Sequence, residues 1–166
     1  MIEIWELVDE KKQKTGELHE RELAETIPCG RYHIVVQIFV RTENGELLLT
    51  RRHPNKLFGL MWECTMGSVL AGETSLEGAM RELAEETGIV ADEKCFVYLG
   101  DTYYDNWIVD TYLYTVKVQP TLRLQEGEVV DAKFVPFLEL SSLKASIVGG
   151  VWRGYEKFRD KITKNY

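Results

Sequence analysis

Three glutamates in one short segment are the residues best placed to do chemistry. Glu82, Glu85 and Glu86 are spaced so that a helix, which turns about 100° per residue, carries all three on one face. Each pairing with Glu82 puts like charges one turn apart, at a cost of about 0.2–0.5 kcal/mol, and anions are disfavoured near the carboxyl end of a helix. A solvated helix face is one interpretation. The other is a site for Mg²⁺, which prefers oxygen ligands and keeps waters that phosphate oxygens can replace.

The helix that would carry these glutamates has clear ends. Thr74 and Glu77 have the spacing of a capping box, and Gly88 occupies the position of a C-cap. A helix is therefore predicted over 75–87, with Arg81 beside Glu85. Its core-facing residues are Leu76, Met80, Leu83 and Ala84.

Cationic and aromatic residues outside this helix are candidates for substrate binding. Arg51, Arg52 and Lys56 form a basic cluster that could meet phosphate oxygens. Because neighbouring residues of a strand face opposite sides, at most one of the two arginines points into a cleft. Tyr104, among other aromatics, could stack on a nucleobase. An exposed strand end and an ordinary aromatic packing contact are the alternative interpretations.

Composition and charge narrow the function. The 166 residues contain 27 acidic and 20 basic side chains, for a net charge of −7. This charge argues against nucleic acid and anionic membranes as partners, since both attract cationic surfaces. Cys29, Cys64 and Cys95 form no C-x-x-C motif, so neither a disulfide framework nor a zinc site is predicted. The apolar stretches are too short for a membrane span or a signal core, and a cytoplasmic protein is expected.

The elements that must position the glutamates are mostly strands. The pattern predicts one domain of the α+β class over 1–166, with a first strand and an irregular segment within 1–30 packed on it. A charged turn is predicted over 9–16, and 17–30 receives no assigned structure. Asn44-Gly45 predicts a hairpin because both residues accept positive φ. Strands are predicted over 2–8, 32–41, 46–52, 62–70, 96–103, 107–118 and 131–137, and helices over 75–87, 137–145 and 149–163.

The same residues fit a known motif. Gly67, then five residues, Glu73, then seven residues and the run Arg-Glu-Leu-Ala-Glu-Glu-Thr-Gly-Ile over 81–89 match every defined position of the Nudix box. At ordinary residue frequencies a chance match in this chain is on the order of one in a million. The chain therefore resembles Nudix hydrolases. The resemblance implies the Nudix fold, a mixed β-sheet packed between helices as an α/β/α sandwich.

The resemblance also implies a role for each box residue. Glu82, Glu85 and Glu86 would bind Mg²⁺ or Mn²⁺ against a diphosphate. The remaining box residues would be structural, with an ion pair that braces the loop against the helix and a glycine that permits the turn at each end. These structural residues are Gly67, Glu73, Arg81 and Gly88.

The implied reaction is hydrolysis of a phosphoanhydride bond in a nucleoside diphosphate-linked substrate. Metal ions would offset phosphate charge and lower the pKa of a bound water that attacks phosphorus in line. A carboxylate must accept the proton of that water, and the candidates are Glu85, Glu126 and Glu128. Glu128 is preferred within its loop because an acidic residue before such a strand recurs in Nudix relatives. A nucleotide-like diphosphate is the expected partner, and a homodimer stays open because many relatives dimerise.

Two other functions stay open. The flanks resemble the subgroup similar to isopentenyl-diphosphate isomerase, for example at His19 and over 51–56. That isomerase requires a cysteine immediately before the first box glycine and a metal-binding histidine just after it. Met66 and Ser68 occupy those positions here, and Cys64 lies two residues away. The third function is a Nudix module that binds a nucleotide without cleaving it, against which the complete set of box carboxylates argues.

Overall fold

The computed structural model describes residues 2–164. Within that range it contains two β-sheets and two α-helices, with shorter 3₁₀ segments. The strands are β1 (Ile4–Val8), β2 (Lys14–Glu20), β3 (His33–Thr42), β4 (Glu46–Arg52), β5 (Trp62–Glu63), β6 (Thr65–Ser68), β7 (Phe96–Tyr103), β8 (Trp107–Val116) and β9 (Val129–Pro136). The helices are α1 (Ser75–Thr87) and α2 (Gly149–Ile162), and the 3₁₀ segments are Arg21–Thr26, Glu93–Cys95 and Phe137–Ser146.

An antiparallel hairpin of β1 and β2 begins the chain. Asp9 closes its turn, because its carboxylate accepts hydrogen bonds from the N–H groups of Lys11 (2.8 Å) and Gln13 (2.9 Å). The turn is therefore shorter than the predicted 9–16. The prediction of an irregular segment over 17–30 is wrong over 17–26, where the second strand continues and a 3₁₀ helix forms.

The larger sheet is mixed, as predicted. Its strands lie in the order β5-β4-β3-β8-β7, with β6 paired to β3 and β9 paired to β4. The central strands β3 and β8 are parallel, from His33 opposite Trp107 to Thr42 opposite Val116, and the pairs around them are antiparallel. The predicted strand over 62–70 is divided into β5 and β6, and the predicted helix over 137–145 is a 3₁₀ helix.

The Asn-Gly turn joins β3 to β4 in a way that differs from the prediction. Gly45 has a φ of 83° and donates its N–H to the carbonyl of Thr42 at 3.3 Å, whereas Asn44 does not have a positive φ. The two strands are registered only at Arg41 opposite Leu47, because β3 pairs with β6 along most of that edge. The connection was predicted correctly and its turn type was not.

The two faces of the sheet carry separate apolar cores. Along β3, Val36 and Ile38 belong to the core beneath α1, while Phe39 belongs to the core beneath α2. The helix α1 enters its core through the fully buried Ala79 and Leu83, and α2 enters its core through Val151 and Ile162. The predicted packing of a mixed sheet between helices is confirmed.

The N-terminal hairpin is attached to the loop that precedes α1. Val8 and Tyr32 exchange backbone hydrogen bonds, and the N–H of Ala71 donates to the carbonyl of Ile4 at 2.8 Å. The ring of Trp5 stacks on that of His33, with the centroids 3.9 Å apart. The hairpin therefore supports one side of the box.

The three cysteines differ in exposure, and both α-helices are short. Cys29 and Cys95 are exposed, Cys64 is buried, and all three are free thiols. No helix within residues 2–164 is both long enough and apolar enough to cross a membrane.

Candidate active site

Local capping fixes the ends of α1, the helix that carries the glutamates. The hydroxyl of Thr74 accepts from the N–H of Glu77 at 3.2 Å, and the Glu77 carboxylate accepts from the N–H of Thr74 at 2.7 Å. At the other end Gly88 is left-handed, with φ 77°, and its N–H donates to the carbonyl of Ala84 at 2.9 Å. The predicted capping box, C-cap and helix limits are confirmed.

A second loop caps the carboxyl end of α1. The N–H of Arg123 donates to the carbonyl of Thr87 at 2.8 Å, and the N–H of Gln125 donates to the carbonyl of Glu86 at 3.3 Å. These bonds satisfy carbonyls that have no partner inside the helix. They also fix the start of β9, and with it Glu128, relative to the box.

The guanidinium of Arg81 holds the box together. Its Nε donates to Glu73 Oε1 at 2.7 Å, which confirms the predicted ion pair, and its Nη2 donates to the carbonyl of Ser68 at 2.8 Å. Its Nη1 also donates to Glu82 Oε1 at 2.7 Å and to Glu85 Oε2 at 3.3 Å. Partial burial would raise the pKa of Glu73, but the hydrogen bonds from Arg81 outweigh it, so that this pKa lies below its usual range. Two of the three helix glutamates thus share one counter-ion.

Glu86 is the most deeply buried carboxylate of the box. Its residue exposure is 4%, and its Oε2 has no hydrogen-bond partner among residues 2–164. Burial first, and then the charges of Glu63 and Glu82, raise its pKa well above the usual value. A buried oxygen without a partner beside two further carboxylates has the chemistry of a divalent-cation ligand, so that the donor set fits Mg²⁺ or Mn²⁺.

The three glutamates do not yet form a closed cage. Within residues 2–164 no group of three or more His, Cys, Asp or Glu side chains is arranged to hold a metal ion. Glu82 and Glu85 turn toward Arg81, while Glu86 points into the protein. The three glutamates have the predicted spacing along the helix, but their carboxylates do not converge on one point.

The two box glycines have different roles. Gly88 permits the turn after α1, as predicted. Gly67 lies inside β6 and not in a turn, so its predicted role is wrong. A Cβ at Gly67 would overlap the carboxylate of Glu82, and the missing side chain therefore leaves space for a proposed metal ligand.

The candidate bases differ in their surroundings. Glu85 is half-exposed and contacts Arg81. Glu128 lies immediately before β9, and its carboxylate forms an ion pair with Lys56. Glu126 is exposed in the same loop. Of the two loop carboxylates, Glu128 is the one that an ion pair connects to the loop after β4.

The structure separates the residues predicted to bind substrate. Arg52 faces the box side, where its Nη1 donates to Glu63 Oε2 at 2.5 Å. Arg51 faces the other side, with its guanidinium 5.7 Å from the ring of Trp62. Tyr104 lies in the turn between β7 and β8, at the opposite edge of the sheet from β5. Of the two arginines, Arg52 is the one brought to the box, in agreement with the expectation that at most one of them points there.

Glu63 is the site residue that sequence reasoning missed. It is 3% exposed, and burial raises its pKa although the guanidinium of Arg52 opposes the shift. Its local signal is weak, an acidic residue between Trp62 and Cys64 in a predicted strand, and the burial itself appears only when β5 pairs with β4. Burying a carboxylate is costly without a partner, so such a position indicates a site.

Known proteins match this chain in sequence. A family model described as the NUDIX domain matches residues 31–157. An uncharacterised Nudix hydrolase of Listeria monocytogenes is 34% identical over 148 residues, covering 87% of this chain and 86% of that protein. An isopentenyl-diphosphate Delta-isomerase of Streptomyces avermitilis is 29% identical over 157 residues, covering 89% and 78%.

Solved structures share the fold. A Deinococcus radiodurans protein superposes with a TM-score of 0.74 at 22% identity, covering 94% of this chain and 99% of that one. The Nudix domain of Shewanella oneidensis NrtR, crystallised with ADP-ribose, superposes with a TM-score of 0.66 at 19% identity, covering 80% and 89%. The family model and the Listeria relative establish that the chain belongs to the Nudix hydrolase family, enzymes that act on pyrophosphate bonds.

Proposed function

We propose that this protein hydrolyses a phosphoanhydride bond in a nucleoside diphosphate-linked substrate and depends on Mg²⁺ or Mn²⁺. The observation that carries the proposal is the buried, unpartnered oxygen of Glu86, next to Glu63 and Glu82 on a helix that is capped at both ends. Such a concentration of buried negative charge is costly for folding and has a use when a divalent cation is bound.

The box residues supply the ligands and the frame. Glu82, Glu85 and Glu86 are the proposed ligands. A divalent cation held there would offset phosphate charge and lower the pKa of an attacking water. Arg81 keeps the helix joined to the preceding loop through its bonds to Glu73 and to the carbonyl of Ser68.

The loops supply the proton acceptor and the cations. Glu128 is our proposed base, with Glu85 as the alternative, because a carboxylate within reach of the water must take its proton. Lys56 lies against Glu128, and Arg52 lies against Glu63. Both cations can transfer hydrogen bonds to substrate phosphates, which bind guanidinium and ammonium groups strongly.

The substrate class rests on two supports. The ADP-ribose held by the Nudix domain of NrtR is a nucleoside diphosphate carrying a further group. The cation pair of Arg52 and Lys56 beside the box gives an acidic chain a place for phosphates. We therefore propose a nucleotide-like diphosphate and not a nucleic acid as the partner.

Isomerisation is the second candidate, since the Streptomyces isomerase is a relative over most of the chain. Met66 has no proton to transfer, and its sulfur contacts Gln37 on the side of α2. Cys64 packs in that same core, where burial raises the pKa of its thiol. Neither side chain faces the box carboxylates, so hydrolysis is favoured.

Replacement of Glu85 tests the proposed function. The chain is assayed with ADP-ribose, nucleotide sugars, dinucleotides and nucleoside di- and triphosphates, and products are separated by chromatography with Mg²⁺, Mn²⁺ or EDTA. Glu85→Gln should lower kcat by roughly 10²-fold or more, because it removes a ligand and a candidate base. It should leave the melting temperature nearly unchanged, since this side chain is half-exposed.

The control is Glu139→Gln, which removes the same charge from an exposed position remote from the box. It should keep wild-type activity. Near-normal turnover by Glu85→Gln would contradict the assignment. Binding of a nucleotide by calorimetry without any product would instead favour the non-catalytic module.

A further inference from the structure

The loop between β4 and β5 exposes three large apolar side chains next to the proposed site. Leu57, Phe58 and Leu60 are 74%, 54% and 48% exposed. None of them belongs to either core. Adjacent exposed apolar side chains are a common feature of surfaces that bind another molecule.

This 57–60 loop is held rigidly in an unfavourable conformation. Phe58 and Leu60 have φ values of 58° and 65°, in the left-handed region that side chains other than glycine rarely adopt. Gly59 between them packs against the backbone of Pro54 so closely that a side chain would not fit. Residues held in such conformations cluster at active sites and ligand-binding sites.

The two arginines pin the carbonyls at both ends of the loop. Arg52 Nε donates to the carbonyl of Leu57 at 2.7 Å, and Arg51 Nε donates to the carbonyl of Leu60 at 2.9 Å. The exposure of the apolar side chains is therefore a property of an ordered loop. It also gives Arg51 a structural role in place of the predicted contact with substrate.

The 57–60 loop is continuous with the proposed phosphate site. The guanidinium of Arg52 donates hydrogen bonds both to the carbonyl of Leu57 and to the carboxylate of Glu63. Lys56, which pairs with Glu128, directly precedes the loop. Consecutive Cα atoms are about 3.8 Å apart, so Phe58 lies within about 8 Å of Lys56 along the backbone. The exposed apolar side chains therefore lie directly beside Arg52 and Lys56.

We infer that the 57–60 loop binds the nucleobase of the substrate, with the ring of Phe58 stacked on it. This inference rests on the proposed function, in which Arg52 and Lys56 receive the phosphates of the same molecule. A base joined to those phosphates through one ribose is the apolar, planar group that would reach the loop. Aromatic rings bind any base by its face. Three side chains are too few for a stable interface with a second copy, which needs about 800 Å² on each partner.

The test measures binding without turnover. Calorimetry with Mg²⁺ compares α,β-methylene-ADP with methylenediphosphonate, which has the same bridged phosphates and no base. Phe58→Asn removes the ring and keeps the backbone, since asparagine tolerates the left-handed region. We expect the dissociation constant of α,β-methylene-ADP to rise roughly 5- to 150-fold, the range expected when stacking on one base is lost. The preference over methylenediphosphonate should fall by the same factor.

Two further variants are the controls. Phe58→Tyr retains the ring and should bind like the wild type. Leu138→Asn removes a side chain that is 97% exposed on a different surface, and it should change neither constant. Equal affinity of Phe58→Asn and the wild type for α,β-methylene-ADP overturns the inference, as does a wild type that prefers methylenediphosphonate. Because neither probe is cleaved, a wild type that hydrolyses no nucleotide overturns the proposed function alone.

Discussion

The guanidinium of Arg81 contacts Glu73, Glu82, Glu85 and the carbonyl of Ser68 at the same time. A divalent cation must compete with it for two of its three proposed ligands. Arg81 donates no hydrogen bond to Glu86, whose buried Oε2 lacks a partner among residues 2–164. At the scale of single residues, Arg81 therefore binds two of the three proposed ligands, and Glu86 is the one that it leaves unbound.

Gly67→Ala tests whether the space beside Glu82 is needed. An added Cβ would overlap the Glu82 carboxylate, which must then turn away from its position. We expect the affinity for Mg²⁺, measured by titration of the activity, to fall roughly 10- to 100-fold, as for changes that displace a metal ligand. Gly149→Ala is the control, because its nearest neighbour is a flexible arginine tip 3.8 Å away. Unchanged Mg²⁺ dependence in Gly67→Ala would show that Glu82 is not a ligand.

At the scale of elements, α1 is positioned from three sides. The hairpin of β1 and β2 holds the preceding loop through Ala71, Gly67 of β6 leaves space for Glu82, and the loop before β9 caps the last turn. Each contact is made by backbone or by a residue without a side chain. The backbone bonds do not depend on side-chain identity, whereas the position of Gly67 leaves no room for a side chain.

Gly88→Ala tests the carboxyl cap. Alanine would have to adopt a φ of 77°, and its Cβ would lie 2.9 Å from the Cβ of Arg123. We expect a loss of about 2–3 kcal/mol in the free energy of unfolding by urea, from the left-handed backbone together with crowding. Gly16→Ala is the matched control, with a φ of 76° and nothing within 4 Å, and should cost only about 1 kcal/mol. Equal losses in both variants would mean that the contact with Arg123 contributes nothing.

Sequence reasoning succeeded where the signal was local. The caps of α1 and the opposed faces of Arg51 and Arg52 follow from spacing, and the pair of Arg81 with Glu73 follows from the resemblance to the Nudix box. It failed where distant segments meet. The division into β5 and β6 and the burial of Glu63 beside Glu86 depend on strand partners that no local pattern specifies.

At the scale of the whole molecule, the acidic side chains that give the net charge of −7 do not all lie on the surface. Glu63 and Glu86 are buried on the α1 side of the sheet, and each has its pKa raised by burial and by the other acids. A cation bound at Glu86 would relieve a cost that the folded state otherwise carries. Stability should therefore depend on divalent metal.

Mg²⁺ should raise the melting temperature. At 100 times the dissociation constant the stabilisation is about 2.7 kcal/mol, or roughly 5–10 °C for a chain of this size. Glu86→Gln should lose most of the shift, whereas Glu139→Gln, which alters an exposed side chain, should retain it. Differential scanning fluorimetry with and without EDTA measures both. A full shift in Glu86→Gln would remove Glu86 from the ligand set.

The parallel pairing of β3 with β8 sets the order in which the site can be assembled during synthesis. The whole box lies between these two strands in the chain, so it leaves the ribosome before β8 does. Until β8 arrives, β3 has only its β4 and β6 edge to pair with, and the core beneath α1 lacks Ile108 and Tyr112. Closing so long a loop is entropically costly and slow. A nascent chain stalled before β8 would therefore display a complete box motif without a folded site, and the enzyme would gain its chemistry only after most of the polypeptide had been made.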